Sequence, residues 1–233
     1  MQKEKIIGIL GGMGPEATVD LMQRIIAKTD AHDDIDHIRC VVDNNPKVPS
    51  RLKALLEGTG ESPAPCMVDM AKRLQAWGVD CLAIACNTAH NYYPDVQEAV
   101  AIPVLNMVEL AARHTVTNHP HCRQVGILAS PAVRLTSLYS AVLDKMGVAV
   151  VYPSPEYENR LLQVIRDIKN GDTGEAVRRE FAAIVANIQE NGAKVAIIAC
   201  TELGIISERY AIPTVDAADV LADELVQFAK NTG

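Results

Sequence analysis

Two short stretches of the sequence place a cysteine beside small and hydroxyl-bearing residues. They read Ala85-Cys86-Asn87-Thr88 and Ala199-Cys200-Thr201-Glu202, and the two cysteines are 114 residues apart. A thiolate is a base and a thiol is an acid, so two cysteines on opposite faces of one carbon can remove a proton and return another from the other side. That operation inverts the carbon, which makes racemisation or epimerisation the leading hypothesis for Cys86 and Cys200.

Other uses of two cysteines fit the sequence less well. Six cysteines in 233 residues are too few for a disulfide scaffold, and this usage favours a reducing compartment with free thiols. A zinc site would need two more ligands, and neither His90 nor the cluster His119-Pro120-His121-Cys122 has a recognised ligand spacing. We interpret His90 as a helix residue with local hydrogen bonds and the cluster as an exposed loop, and we predict no metal site.

Each cysteine follows a short apolar run that is typical of a buried strand. Similar runs recur along the chain and are followed by segments with helical periodicity, as in Ile6–Leu10 and Pro15–Lys28. This alternation predicts the α/β class, with mainly parallel sheets flanked by helices. Ligands bind beyond the carboxyl ends of strands in such sheets. Thr88 and Thr201 are good N-cap residues and predict that a helix opens beside each thiol, where free N–H groups favour a thiolate.

Three segments of the first half are repeated in the second half in the same order. The pairs are Ile7–Leu10 with Val125–Leu128, Cys81–Thr88 with Val195–Glu202, and Ala101–Val104 with Ala211–Thr214. Their offsets of 118, 114 and 110 residues are nearly constant, which indicates a duplication. We therefore predict two pseudo-symmetric α/β domains with the active site in the cleft between them. The expected first domain is residues 1–103 plus 212–233, including a C-terminal return helix, and the second is residues 104–211.

A glycine turn follows the first apolar run and resembles a dinucleotide-binding fingerprint. Gly12-Met13-Gly14-Pro15-Glu16-Ala17 fits G-x-G-x-x-A, but the acidic Asp43 lies 26 residues after Ala17, beyond the usual spacing of about 20. Pro15 also removes an N–H group that a pyrophosphate would use. We expect instead a turn that closes around a carboxylate, with the amides of Met13 and Gly14 as donors, and no nucleotide cofactor.

The charge and hydropathy of the chain exclude several classes of partner. There are 22 Lys and Arg residues against 29 Asp and Glu, a net charge of −7, and no basic cluster. This argues against binding to nucleic acid or to an anionic membrane surface. No apolar stretch approaches the roughly 18 residues of a spanning helix, and the first apolar run is too short for a signal peptide. We therefore expect a cytoplasmic protein.

With these residues identified, the chain resembles the aspartate/glutamate racemase family, and in particular its aspartate racemase branch. The matching segments are Gly8–Thr18, Asn44–Arg51, Ala85–His90 and Ala199–Leu203. The resemblance implies racemisation of an acidic amino acid without a cofactor or metal, with Cys86 and Cys200 as the paired acid and base. It also implies a homodimer in which the C-terminal segment packs on the first domain.

The resemblance also implies roles for two basic residues. Arg51 corresponds to an arginine that binds a substrate carboxylate, and a guanidinium group suits a bidentate contact. Lys169 corresponds to a lysine that binds the other carboxylate. The remaining expected substrate contacts are Asn87, Thr88 and Thr201 on the α-carboxylate and Glu202 on the ammonium group. For Glu202, an acid in the first turn of a helix is an equally good interpretation.

Two other functions remain compatible with the sequence. One is an isomerase or decarboxylase of a small dicarboxylate on the same fold, although these reactions need a single reactive thiol more than a matched pair. The other is a non-catalytic protein that binds acidic amino acids, for which two thiols are not required. The sequence also leaves open aspartate against glutamate, because one methylene in a pocket changes binding by only about 1–3 kcal/mol.

Overall fold

The computed structural model describes residues 5–230, and the chain divides into two compact units. The first unit contains the chain up to Met107 together with the segment from Ala218 onward, and the second is Val108–Ala217. Each unit contains one four-stranded parallel sheet. The predicted fold class, with two parallel α/β sheets flanked by helices, is confirmed.

The strands, in chain order, are β1 Ile7–Gly11, β2 Cys40–Asn44, β3 Cys81–Ile84, β4 Val104–Leu105, β5 Gln124–Leu128, β6 Ala149–Val151, β7 Val195–Ile198 and β8 Thr214–Asp216. The α-helices are α1 Pro15–Lys28, α2 Ala64–Trp77, α3 Tyr93–Glu98, α4 Met107–Asn118, α5 Pro131–Leu135, α6 Ser140–Asp144, α7 Pro155–Lys169, α8 Glu175–Glu190, α9 Thr201–Ile205 and α10 Ala217–Lys230. Short 3₁₀ segments cover Asp34–Asp36 and Thr88–Tyr92, and a π-helical turn covers Lys53–Glu57.

The two sheets have the same strand order. It is β2-β1-β3-β4 in the first unit and β6-β5-β7-β8 in the second. The register is also equivalent, because Ile7 of β1 is the partner of Cys81 and Val125 of β5 is the partner of Val195. The cysteine-bearing segments therefore follow the same central strand of each sheet, β3 and β7.

Burial explains why these runs form strands. All residues of β1, β3 and β7 are buried, as expected for apolar runs covered by helices on both faces. Gly8 and Gly126 hold equivalent places in β1 and β5. A Cβ at Gly8 would lie 2.7 Å from Leu82 Cδ2, and one at Gly126 would lie 2.7 Å from Ile188 Cδ1. Both glycines therefore let neighbouring side chains pack directly against the strand.

Each unit has its own apolar core. In the first unit α2 contributes Met67, Met70 and Leu74, which pack in one cluster with residues of β1 and β3. In the second unit, α7 and α8 contribute the larger share of the cluster around Phe181. Within residues 5–230, no helix is long and apolar enough to cross a membrane.

The C-terminal helix α10 is joined to α1 by ion pairs within the first unit. Lys28 Nζ lies 3.0 Å from Asp219 Oδ2 and 2.9 Å from Asp223 Oδ1. Arg24 also contacts Asp219, at 3.3 Å, and pairs with Asp20 on its own helix. These charges fasten the last described helix to the first one.

Candidate active site

The glycine turn after β1 is packed tightly against the loop after β2. Gly12 has a φ of 86°, and a Cβ at this position would lie 2.2 Å from the backbone carbonyl carbon of Asn45. The Gly12 amide donates to Thr18 Oγ1 at 2.9 Å, and that hydroxyl donates to the Gly14 carbonyl at 3.0 Å. Only glycine fits this position, so the backbone of residues 12–14 is fixed beside Asn45.

Arg51 is anchored to this turn by backbone carbonyl groups. Its Nη2 donates to the Met13 carbonyl at 2.9 Å, and its Nη1 donates to the carbonyls of Val48 at 3.3 Å and Pro49 at 3.0 Å. A guanidinium group carries five N–H donors, so Nε–H and one Nη2–H remain beyond these three bonds. These two donors are the kind of pair that binds a carboxylate in bidentate fashion.

Met13 and Gly14 are both part of this arrangement. Met13 is buried and its carbonyl orients Arg51, while Gly14 is the N-cap of α1. The turn and Arg51, which are separated by more than 35 residues of sequence, are therefore one structural group.

Cys86 is buried, with 7% of its surface exposed, just beyond β3. His90 holds the Cys86 backbone, because its Nδ1 lies 2.9 Å from the Cys86 carbonyl and its Nε2 lies 3.1 Å from the Met107 amide nitrogen. The amide can only donate, so Nε2 accepts and Nδ1 donates to Cys86. Burial lowers the pKa of His90 to about 4, so this imidazole is neutral at pH 7.

Asn87 and Thr88 follow Cys86 at the opening of a 3₁₀ segment. Asn87 is its N-cap and Thr88 is its first residue, and in the second unit Cys200 is the N-cap of α9 while Thr201 is its first residue. The prediction that the threonines themselves are N-caps is wrong by one position. Neither cap residue makes a side-chain capping bond. The helical segments are also short, at five residues each.

In the second unit, Cys200 contacts a buried carboxylate. Its Sγ donates to Glu202 Oε2 at 3.1 Å, and Thr201 Oγ1 lies 3.4 Å from the same oxygen. The other oxygen, Oε1, lies 3.0 Å from Lys169 Nζ, an ion pair that lacks hydrogen-bond geometry. The side chain of Glu202 is 6% exposed and that of Lys169 is 38% exposed. Glu202 therefore contacts both the buried Cys200 thiol and the ammonium group of Lys169, which is partly exposed to solvent.

Each unit thus gathers its own set of predicted site residues. In the first unit, Met13, Gly14 and Arg51 are in one group, and Cys86, Asn87 and Thr88 follow the neighbouring strand β3. The two strands are linked there, because the Ala85 amide donates to the Leu10 carbonyl at 3.0 Å. In the second unit the set is Cys200, Thr201, Glu202 and Lys169.

Sequence reasoning missed two residues beside the cysteines. His90 was expected to be satisfied locally, but its bond to the Met107 amide reaches the start of α4. Tyr139 is fully buried, and burial raises its pKa, while Asp216 and Cys200 lie within electrostatic range of the phenol. No motif marks Tyr139, because a buried tyrosine usually belongs to a core.

Cys81 and Cys40, two of the other four cysteines, lie within strands β3 and β2. Burial raises the pKa of Cys81 to about 12 and that of Cys40 to about 11. All six cysteines are free. Among residues 5–230, no group of three His, Cys, Asp or Glu side chains is arranged to hold a metal ion.

Comparisons with known proteins agree with one another. The family described as Asp/Glu/Hydantoin racemase matches residues 10–225. The chain is similar to the broad specificity amino-acid racemase RacX of Bacillus subtilis, with 27% identity over 95% of this chain and 96% of that one. It is similar in structure to Picrophilus torridus aspartate racemase, with a TM-score of 0.86 and 31% identity over 97% of this chain and 94% of that one.

A third relative supports the fold alone. It is an aspartate racemase homologue from Pyrococcus horikoshii, with a TM-score of 0.77 and 22% identity over 99% of this chain and 100% of that one.

Proposed function

The chain belongs to the Asp/Glu/hydantoin racemase family, and from that premise we propose that it racemises an acidic amino acid, aspartate first, by a two-base mechanism. Cys86 and Cys200 are the acid and base, and no cofactor takes part. The observation that carries the proposal is the equivalent placement of a buried cysteine after the third strand of each sheet. A matched pair of thiols is what removal and return of a proton on opposite faces requires.

The proton steps balance without any other reagent. One cysteine starts as a thiolate and takes the Cα proton, and the C–H electron pair stays on the substrate as a carbanion. The other cysteine starts as a thiol and gives its proton to the opposite face. By family resemblance, Cys200 serves the L-enantiomer and Cys86 the D-enantiomer.

Binding groups reduce the cost of the carbanion. The Cα–H is a weak acid beside a negative carboxylate, so positive charge and N–H donors near that carboxylate stabilise the transition state. Arg51 and Lys169 bind the two carboxylates. The carbonyl anchors of Arg51 support this role because they orient its remaining donors before substrate arrives.

Short polar groups beside the cysteines complete the substrate contacts. Asn87, Thr88 and Thr201 bind the α-carboxylate, together with the amides of Met13 and Gly14. Glu202 contacts the ammonium group with the carboxylate that already faces Lys169.

The test is Cα–H exchange in D₂O followed by chiral analysis, in reducing buffer and without added cofactor. The substrates are both enantiomers of aspartate and glutamate. Exchange and inversion of aspartate are expected, and no exchange with any of the four would overturn the assignment. Cys86→Ala and Cys200→Ala should each abolish racemisation. Cys81→Ala is the matched control, because this thiol lies in β3 but its pKa of about 12 keeps it out of acid–base work at pH 7.

A broader substrate range is the second candidate. It is favoured by the similarity to the broad specificity racemase of Bacillus subtilis. The same exchange assay with alanine, lysine and arginine separates the two. If alanine, lysine or arginine exchanged its Cα–H faster than aspartate, the substrate would be a wider class of amino acids than the acidic ones.

Two further properties belong to the proposal. We propose a homodimer, tested by light scattering, for which a monomer mass is the contrary result. We also propose a cytoplasmic location, because two active thiols need a reducing compartment. Hydrogen peroxide should therefore inactivate the enzyme, and dithiothreitol should restore it.

A further inference from the structure

The two cysteines differ in their immediate surroundings. Cys200 donates to the carboxylate of Glu202 at 3.1 Å. In the repeat, the residue that corresponds to Glu202 is Thr88, and the stretch from Cys86 to His90 contains no acidic residue. Of the two equivalent cysteines, one therefore has an acidic partner within the next two residues of the chain and the other does not.

The carboxylate of Glu202 faces a cation. It is buried, and its second oxygen lies 3.0 Å from the Lys169 ammonium group. The hydroxyl of Thr201 donates to Oε2 over 3.4 Å. A charged acceptor is thus in place beside the Cys200 thiol before any substrate binds.

An ionised carboxylate favours a thiol over a thiolate, because it accepts the S–H bond and repels a negative sulfur. Tyr139 interacts electrostatically with Cys200 and with Asp216, and burial raises the pKa of its phenol. Lys169 acts in the opposite direction, but its ammonium group is paired with Glu202.

Resting on the proposed function, we propose that Glu202 is a positioning residue that retains the proton on Cys200, so that Cys86 is the cysteine that acts first as the base. The resting protein is then ready for the enantiomer whose Cα–H faces Cys86. After that turnover Cys86 carries the proton and Cys200 is a thiolate. Exchange with water restores the resting form, because the charge of Glu202 favours the return of a proton to Cys200.

The test measures each thiol without substrate. The native protein is treated with iodoacetamide over a range of pH, and modification of each cysteine is followed by peptide mass spectrometry. The midpoint of the Cys86 profile is expected at lower pH than that of Cys200. In Glu202→Gln, the Cys200 midpoint should fall by about one to two pH units while that of Cys86 stays in place. Glu208→Gln, which removes the partner of Arg178 in the same unit, should shift neither.

Several results would overturn the proposal. A Cys200 midpoint at or below that of Cys86 in the unmodified protein would do so, and this comparison holds even if Glu202→Gln fails to fold. An unchanged or raised Cys200 midpoint in a folded Glu202→Gln variant would also contradict it, since Glu202 would then not hold the thiol proton. Because alkylation needs no turnover, the expected order of midpoints together with absent Cα–H exchange would support the Cys200 assignment and reject the racemase mechanism.

Discussion

At the scale of single residues, His90 both holds the backbone of Cys86 and makes the stability of the fold depend on pH. Its two nitrogens join the Cys86 carbonyl to the Met107 amide, and this arrangement requires a neutral ring. Burial lowers its pKa to about 4, below its ordinary 6.5. The unfolded chain therefore binds a proton more readily than the folded one, so folding is favoured above about pH 6.5 and loses this stabilisation as the pH falls towards 4.

We expect the free energy of unfolding to fall by about 3 kcal/mol from this residue alone between those pH values. Urea titrations of the wild type and His90→Gln at both pH values measure it, because glutamine does not titrate. The variant should be less stable at neutral pH and should lose less on acidification. His114→Gln, at an exposed position of α4, is the control and should keep the wild-type pH dependence. Equal pH dependence in all three proteins would contradict the role of His90.

Arg51 gives a second prediction at this scale. Lysine keeps the charge but cannot hold three carbonyls and still present two coplanar donors. In Arg51→Lys, kcat/KM should fall about ten- to a hundredfold, while the melting temperature changes little. Arg73→Lys is the control, because Arg73 pairs only with the exposed Asp69 on α2 among the ion pairs described here. Full activity of Arg51→Lys would remove Arg51 from substrate binding.

The sequence was sufficient to select both cysteines, because each ends an apolar run and the runs repeat. It was insufficient for the partner of Cys200. A glutamate in the first turn of a helix is usually a solvated acid, and only tertiary packing buries Glu202 between Lys169 and the thiol. The family resemblance pointed to Lys169 and Arg51, but the carbonyl anchors of Arg51 are contacts that no residue pattern encodes.

At the scale of elements, the turn after β1 depends on the close approach of Gly12 to the loop that contains Asn45.

The strands β1, β3 and β7 could be predicted from the sequence, because buried parallel strands consist of continuous apolar runs. The π-helical turn at Lys53–Glu57, just after Arg51, was not predictable. Its extra residue per turn has no propensity signature, and such turns often occur at functional sites.

Replacing Gly12 by alanine tests this approach of the loops. The new Cβ would meet the Asn45 backbone at 2.2 Å in addition to the strain of a positive φ. Gly58→Ala is a matched control, because Gly58 also has a positive φ, 62°, but nothing within 4 Å of the added carbon. Gly58→Ala should cost about 1–2 kcal/mol in urea unfolding, and Gly12→Ala should cost more and lose activity. Equal losses would show that the contact with Asn45 is dispensable.

At the scale of the whole molecule, the chain leaves the first unit at Met107 and returns at Ala218. The return is secured by the ion pairs between α1 and α10. Lys28→Met should lower the free energy of unfolding by about 1 kcal/mol at low salt and by less at high salt, because these pairs are partly exposed. Arg73→Met, which breaks a single exposed pair, should have a smaller effect. A salt-independent loss in Lys28→Met would indicate packing instead of charge.

The chain passes from one unit to the other at two places, and these places are equivalent in the two halves of the sequence. One is at the start of α4, the helix that follows β4, and the other at the start of α10, the helix that follows β8. Each sheet is therefore completed in sequence by a helix that is counted with the other unit. An ancestor of one half's length, with the same connectivity, would have given its last helix to a second copy and received one in return. Duplication and fusion of that gene would have turned an exchange between two molecules into a single chain.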